Sequence, residues 1–285
     1  MAKIGVNTFL WTSTWENGIA EILGKARHMG FDCVQIPLLS LDILDAGELA
    51  RTAKEVGLEC YISAGLRDST DVTSDEEETR RRGVEYLKGC VRFAHEVGAP
   101  FLSGSFHSVF GKKAYRPVTD IEWRNSAESL KEVALEAQEF DLALVLEPIN
   151  RYESFLINTA EQAVRLIEMI GEPNVQIQLD TFHMNLEEDS FRGAIELARE
   201  KLTHFHVAEN HRGRFGHGTM PWEEVFGALK DIDYKGAIVI ETFMPEVADV
   251  ALAAAIWRKM APCADEMARE GLEFMRDCCE RFGLD

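Results

Sequence analysis

Residues 142–148 read Leu142-Ala143-Leu144-Val145-Leu146-Glu147-Pro148, an apolar run stopped by an acid and a proline. The run has the length of a strand, and its unbroken apolar character suits one buried on both faces, as parallel strands are. Working outward in both directions, short apolar or β-branched runs recur between longer helix-periodic segments. They predict strands at 4–9, 33–37, 59–63, 101–104, 142–147, 175–180, 203–207 and 237–241. The segments between carry helix punctuation. Ser74-x-x-Glu77 and Thr159-x-x-Gln162 read as capping boxes, in which side chains satisfy the orphan amides of the first turn. Pro221 before Trp222-Glu223-Glu224 reads as a helix start, because proline loses nothing there and acids favour the positive end of the dipole. Gly30, Gly57 and Gly98 fall where a left-handed C-terminal cap is expected.

Eight strands in alternation with helices predict an α/β protein: a (β/α)8 TIM barrel forming one domain over residues 1–285, a fold that typically takes roughly 250 residues. An open doubly wound sheet is the structural rival, but no glycine-rich phosphate loop follows an early strand. The stretch from Val247 onward is longer than one helix needs and contains Pro262. It predicts two helices, the last an extra C-terminal helix that closes the bottom of the barrel or mediates subunit contact.

The 49 acidic and 30 basic residues give a formal net charge of -19, which repels a phosphate backbone and argues against a nucleic-acid partner. The most apolar stretch, 247–257, is interrupted by Asp249 and is too short to span a bilayer, so no membrane partner is expected. Cys33, Cys60, Cys90, Cys263, Cys278 and Cys279 form no C-x-x-C pair and read as reduced thiols of a cytoplasmic protein. The N-terminus passes directly into a strand pattern, with no export signal visible.

Barrels of this kind place their functional groups where strands end. The fifth strand ends in Leu146-Glu147-Pro148, the sixth in Leu179-Asp180-Thr181, the seventh contains His204-Phe205-His206, and the eighth ends in Ile240-Glu241-Thr242. Glu147, Asp180, His206 and Glu241 are spaced by 33, 26 and 35 residues, each about one βα unit, and so share one height on the rim. A single acid at a strand end is more often a helix cap or an ion-pair partner. Four metal-competent side chains in consecutive units point to a cation. Three carboxylates and an imidazole suit manganese or magnesium, with cobalt as a substitute. The period of two puts His204 and His206 on one face, so either could be the ligand; His206 is nearer the rim and is chosen.

The strings Leu146-Glu147-Pro148-Ile149-Asn150-Arg151-Tyr152-Glu153, Leu179-Asp180-Thr181-Phe182-His183-Met184-Asn185 and His204-Phe205-His206 closely resemble the D-tagatose 3-epimerase and D-allulose 3-epimerase family, within the xylose isomerase-like barrels. So do Glu209-Asn210-His211-Arg212, Gly216-His217-Gly218, Met220-Pro221-Trp222 and Glu241-Thr242-Phe243, and the resemblance covers nearly the whole chain. It implies a metal-dependent isomerase that inverts carbon 3 of a free ketose through an enediolate, working as a homo-oligomer, dimer or tetramer. By resemblance, Glu147, Asp180, His206 and Glu241 hold a divalent metal, Mn2+ before Mg2+ or Co2+. Glu147 and Glu241 are also the acid/base pair on opposite faces of the sugar. His183 and Arg212 bond the oxygen that becomes negative, and Glu153 binds the carbon 1 end.

Proton removal beside a ketone independently asks for such a site: electrophilic stabilisation of the enediolate and two acids across the substrate. Bland readings stand beside it. Arg212 could be a loop arginine paired with Glu209, and Trp11, Trp15, Phe110 and Phe243 could be core residues instead of pocket walls. The chain departs from better-known relatives in Gly104-Ser105-Phe106-His107-Ser108-Val109-Phe110, where a tryptophan is common, and in the loop after Phe243. Rival readings are an aldose-ketose, inosose or hydroxypyruvate-type isomerase on the same metal, a metal-dependent phosphodiesterase, and a non-catalytic sugar-binding barrel.

Overall fold

A computed structural model describes residues 2–15 and 18–284. Its strands are β1 (Ile4–Asn7), β2 (Cys33–Leu38), β3 (Glu59–Ala64), β4 (Phe101–Gly104), β5 (Ala143–Leu146), β6 (Val175–Asp180), β7 (Leu202–Val207) and β8 (Ala237–Ile240). Each pairs in parallel with the next, and β8 closes on β1 through Ile4↔Ile238 and Gly5↔Val239. The helices are α1 (Ile19–Met29), α2 (Ala46–Val56), α3 (Glu77–Val97), α4 (Asp120–Gln138), α5 (Ala160–Ile170), α6 (Thr181–Glu187), α7 (Phe191–Ala198), α8 (Trp222–Asp231), α9 (Ala248–Ala253) and α10 (Ala264–Phe282). The expected closed (β/α)8 barrel is present, with each strand within two residues of its predicted limits.

Gly30, Gly57 and Gly98 cap α1, α2 and α3 with φ of 100°, 72° and 82°. Thr159 and Gln162 form the expected box at the start of α5. Ser74 does not cap α3: the helix begins behind Glu76, and Ser74 Oγ instead accepts the Glu76 amide within the preceding turn, 3.1 Å away. Pro221 sits just outside α8, at its cap position. Two helices follow the last strand, as expected, and α10 packs against β1, β8 and α8.

The core fills the barrel and the space between strands and helices, as the apolar strands require. Phe243, Val250, Ala251 and Ile256 form a separate small cluster above the rim, around α9. Inside the barrel the layers nearest the mouth are polar. Asn7, Gln35, Ser103, Gln178, His204 and His206 are all buried there, so the interior is built for contacts that plain hydrophobic packing would not need. None of the six cysteines is in a disulfide among the described residues, and Cys263 is the exposed one. Among the described residues, no helix is long and apolar enough to cross a membrane.

Candidate active site

Each strand end delivers its side chain through the ladder. The Glu147 amide donates to Gly104 O at 3.1 Å and the Glu241 amide to Val207 O at 2.9 Å. Gly104 permits the first of these: its φ is 131°, and a Cβ there would lie 2.2 Å from Ala64 O. Asp180 and His206 are register partners on β6 and β7. Asp180 splits its carboxylate, Oδ1 accepting the Phe182 amide at 2.7 Å to cap α6 while Oδ2 turns to the barrel axis.

The four predicted ligands converge. His206 Nδ1 lies 3.4 Å from Glu241 Oε1, 3.8 Å from Glu147 Oε1 and 4.0 Å from Asp180 Oδ2. Asp180, His206 and Glu241 offer ligand atoms all within 4.8 Å of one another, and so do Glu147, Asp180 and His183. His204 is one pleat deeper, with its ring 5.3 Å from Tyr61 and 5.0 Å from Phe101. Of the two histidines, His206 is the one that the strand brings beside the carboxylates.

Arg212 reaches into this cluster from the loop after β7. Its Nη2 is 3.0 Å from Glu241 Oε2 and 3.5 Å from Asp180 Oδ2. The guanidinium is clamped between the rings of Phe182 and Phe243, 4.1 and 4.7 Å from their centroids, and the backbone is left-handed, φ 51°. Its partner is therefore the cluster, while the Glu209 carboxylate holds its own loop by accepting from Gly216 N and Trp222 Nε1 at 2.7 and 3.0 Å.

His183 Nδ1 accepts the Asn150 amide at 3.2 Å, which places the ring proton on Nε2. That Nε2 faces Glu147, Glu153 and Asp180 oxygens at 4.0 Å each and lies 3.2 Å from Arg212 Nη2. Two donors thus point into the same space, an arrangement that could stabilise a developing oxyanion.

The electrostatics are those of buried, crowded acids. Burial first, then the charges of Glu241 and Asp180, push the Glu147 carboxyl well above its ordinary value. Burial and Glu241 raise Asp180 to about 6. Burial also raises Glu241, with Arg212 pulling the other way. Burial lowers His206 to about 4, so its ring is neutral and available as a ligand. Glu147 Oε1 and Asp180 Oδ2 are buried with no hydrogen-bond partner among the described residues. Three carboxylates facing one guanidinium, with two orphaned oxygens aimed inward, fit a divalent cation.

A cavity of about 290 Å³ opens from the cluster to the mouth. Asn7 and Gln35 are at its inner end and Glu153 on its side, while Leu38, Leu66, Phe110, Phe243, Val250 and Ala254 make an apolar outer wall. Phe110 and Phe243 are thus wall residues. Trp15 belongs to the core, and Trp11 bonds Asp265 Oδ1 at 2.9 Å away from the cavity. Sequence reasoning overlooked Asn7, Gln35, Asn150 and Gln178. Asn7 Nδ2 donates to Glu241 Oε1 at 2.8 Å, and Gln35 Oε1 accepts from His206 Nε2. For Asn7 and Gln35 the signal was a lone amide in an otherwise apolar strand.

A closed parallel barrel with an acid-histidine cluster at the C-terminal ends of its strands defines a barrel of enzyme type whose cluster could hold a divalent cation. The sequence matches the xylose isomerase-like TIM barrel family over residues 23–278, and the chain belongs to that family. It is 35% identical over 271 residues to the L-ribulose 3-epimerase of Mesorhizobium japonicum, covering 94% of this chain and 90% of the relative. A solved structure of L-ribulose 3-epimerase superposes with a TM-score of 0.94 at 32% identity, over 99% of this chain and 96% of the other. The D-allulose 3-epimerase of a Methylomonas species, solved in complex with D-allulose, gives 0.93 at 29% identity, over 97% and 96%.

Proposed function

We propose that this chain is a ketose 3-epimerase that inverts carbon 3 of a free ketohexose or ketopentose through a cis-enediolate, with a divalent metal as cofactor. The observation that carries the reading is the pair of buried acids, Glu147 and Glu241, presented from β5 and β8 to one cavity beside a convergent donor pair. Relatives that act on L-ribulose and D-allulose, at 35% and 29% identity, support the substrate class.

Glu147, Asp180, His206 and Glu241 would hold the cation, Mn2+ by choice with Mg2+ or Co2+ as substitutes. When bound, it supplies Lewis-acid stabilisation of the sugar's oxygens. The rest is the work of the chain. Glu241, whose charged form Arg212 and Asn7 favour against the effect of burial, takes the carbon 3 proton in one direction, and Glu147, the more readily protonated acid, returns one from the other face. His183 Nε2–H and Arg212 Nη2–H donate to the oxygen that becomes negative. Glu153 binds the carbon 1 end, and the apolar outer wall receives the distal carbons. Residues 1–285 act as one domain, a cytoplasmic protein with reduced thiols that assembles as a homo-oligomer, dimer or tetramer.

Incubating the Mn2+-loaded protein with ketohexoses and ketopentoses in heavy water tests this. Deuterium at carbon 3 with an inverted product is expected. Label at carbon 1 or 2 with aldose formation would replace epimerisation by aldose-ketose isomerisation, and no label on any sugar would sink the enzymatic reading.

A further inference from the structure

Gln35 lies in the middle of β2, 1% exposed, in a strand that is otherwise apolar. Its Oε1 accepts from His206 Nε2 and lies 3.5 Å from His204 Nε2, while its Nε2 donates to Ser103 Oγ at 3.0 Å. The opposite edge of the His206 ring carries Nδ1, which faces the oxygens of Glu241, Glu147 and Asp180 and is 3.2 Å from Gln178 Nε2.

A neutral imidazole has one proton for two nitrogens, and here the two edges compete for it. Three carboxylates favour a proton on Nδ1, where an N–H would point at negative charge. That tautomer has no lone pair to offer a cation. A carbonyl oxygen against Nε2 favours the other tautomer, because a proton on Nδ1 would leave two buried lone pairs face to face. We propose that Gln35 is a positioning residue that keeps the His206 proton on Nε2 and so presents a bare Nδ1 to the metal.

The surroundings fix the direction of the Gln35 amide, which Ser103 cannot do because its hydroxyl serves as donor or acceptor. His204 supplies what is needed. Its Nδ1 is buried without a partner among the described residues, consistent with a proton on Nε2 and a second imidazole N–H directed at Gln35 Oε1. The Gln178 amide, placed to donate toward Nδ1, supports the same tautomer from the cluster side. His204 contributes nothing to the ligand set, yet it holds the amide that in turn holds the ligand.

The proposal rests on the reading of the cluster as a metal site, and its test separates the two. In the metal-stripped full-length protein labelled with 15N-histidine, long-range 1H–15N correlation spectra, assigned with His206→Gln, read which ring nitrogen is protonated. The wild type is expected to show Nε2–H on His206. Gln35→Leu should move the proton toward Nδ1 and weaken Mn2+ binding, measured by chelator competition, by about ten- to a hundredfold. Gln35→Glu, which keeps an acceptor oxygen in place, should restore the Nε2–H signature. An Nδ1–H signature in a wild type that binds Mn2+ overturns the role of Gln35 alone, and so does Gln35→Leu with an unchanged tautomer and affinity. If Gln35→Leu does not fold, the wild-type and Gln35→Glu spectra still decide. A wild type that shows Nε2–H but binds no Mn2+ overturns the cation reading and with it the purpose assigned to Gln35.

Discussion

Glu147 and Glu241 share a site but not an environment. Glu241 accepts from Asn7 at 2.8 Å and from Arg212 at 3.0 Å, while Glu147 Oε1 has no partner among the described residues. In the proposed mechanism this difference sorts a proton donor from a proton acceptor on chemically identical side chains. Replacing either by glutamine keeps shape and removes titration. Glu147→Gln and Glu241→Gln should each lower kcat by about a hundred- to ten-thousandfold with an unchanged circular dichroism spectrum, and near-normal turnover in either variant would refute the two-acid scheme. The same acids set the pH response of cation binding. Asp180, raised to about 6, and Glu147, raised well above its ordinary value, carry protons in the metal-free protein that a cation must displace. His206, lowered to about 4, is already neutral at mild pH. Mn2+ affinity should therefore rise as pH increases through about 6, with proton release on binding. Calorimetry in buffers of different ionisation enthalpy counts those protons, and an affinity flat between pH 5 and 7 (roughly one unit either side of Asp180) would contradict the shifts.

At the scale of elements, the caps show how far local chemistry reads through. Thr159 and Gln162 cap α5 as their spacing implies, with Gln162 Oε1 accepting from the Asn158 amide at 2.6 Å as well as from the Thr159 amide at 3.3 Å. Ser74 has the same pattern but lies in a turn whose geometry assigns its hydroxyl to Glu76. A stronger box went unread at α4, where Glu122 accepts from both the backbone and the hydroxyl of Thr119 at 2.9 Å and is held by Arg116. Thr119→Ala should cost about 1 kcal/mol, whereas Ser74→Ala should cost less than about 0.5 kcal/mol. Urea midpoints compare the two, and equal losses would show that the turn before α3 carries more than its bonds indicate. The strands were legible for a plainer reason. Burial on both faces leaves an apolar run that ends where the ladder ends, which fixes Glu147, Asp180 and Glu241 at one height. What opposes them from β1 and β2 could not be read, because a single Asn7 or Gln35 carries no periodic signal, and its meaning depends on which distant strand closes the barrel beside it. Arg212 was equally ambiguous in the chain, since only the fold brings Phe182 and Phe243 to its two faces.

For the molecule as a whole, the reacting centre and its outer wall rest on different foundations. The acids of the cluster hang from ladder hydrogen bonds inside the main core, whereas the outer wall of the cavity leans on the small cluster of Phe243, Val250, Ala251 and Ile256. Local opening free energies follow the number and depth of such supports. Amide hydrogens of Val250, Ala251 and Ile256 should therefore exchange with solvent well before those of Val207 and Glu241, and simultaneous exchange of both sets would show one cooperative unit. The molecule then resembles a vise with one fixed and one compliant jaw. Under the proposed function, the fixed jaw would grip the carbons where the bond is remade, and the compliant one would let sugars of unequal length and configuration be held by the same machinery.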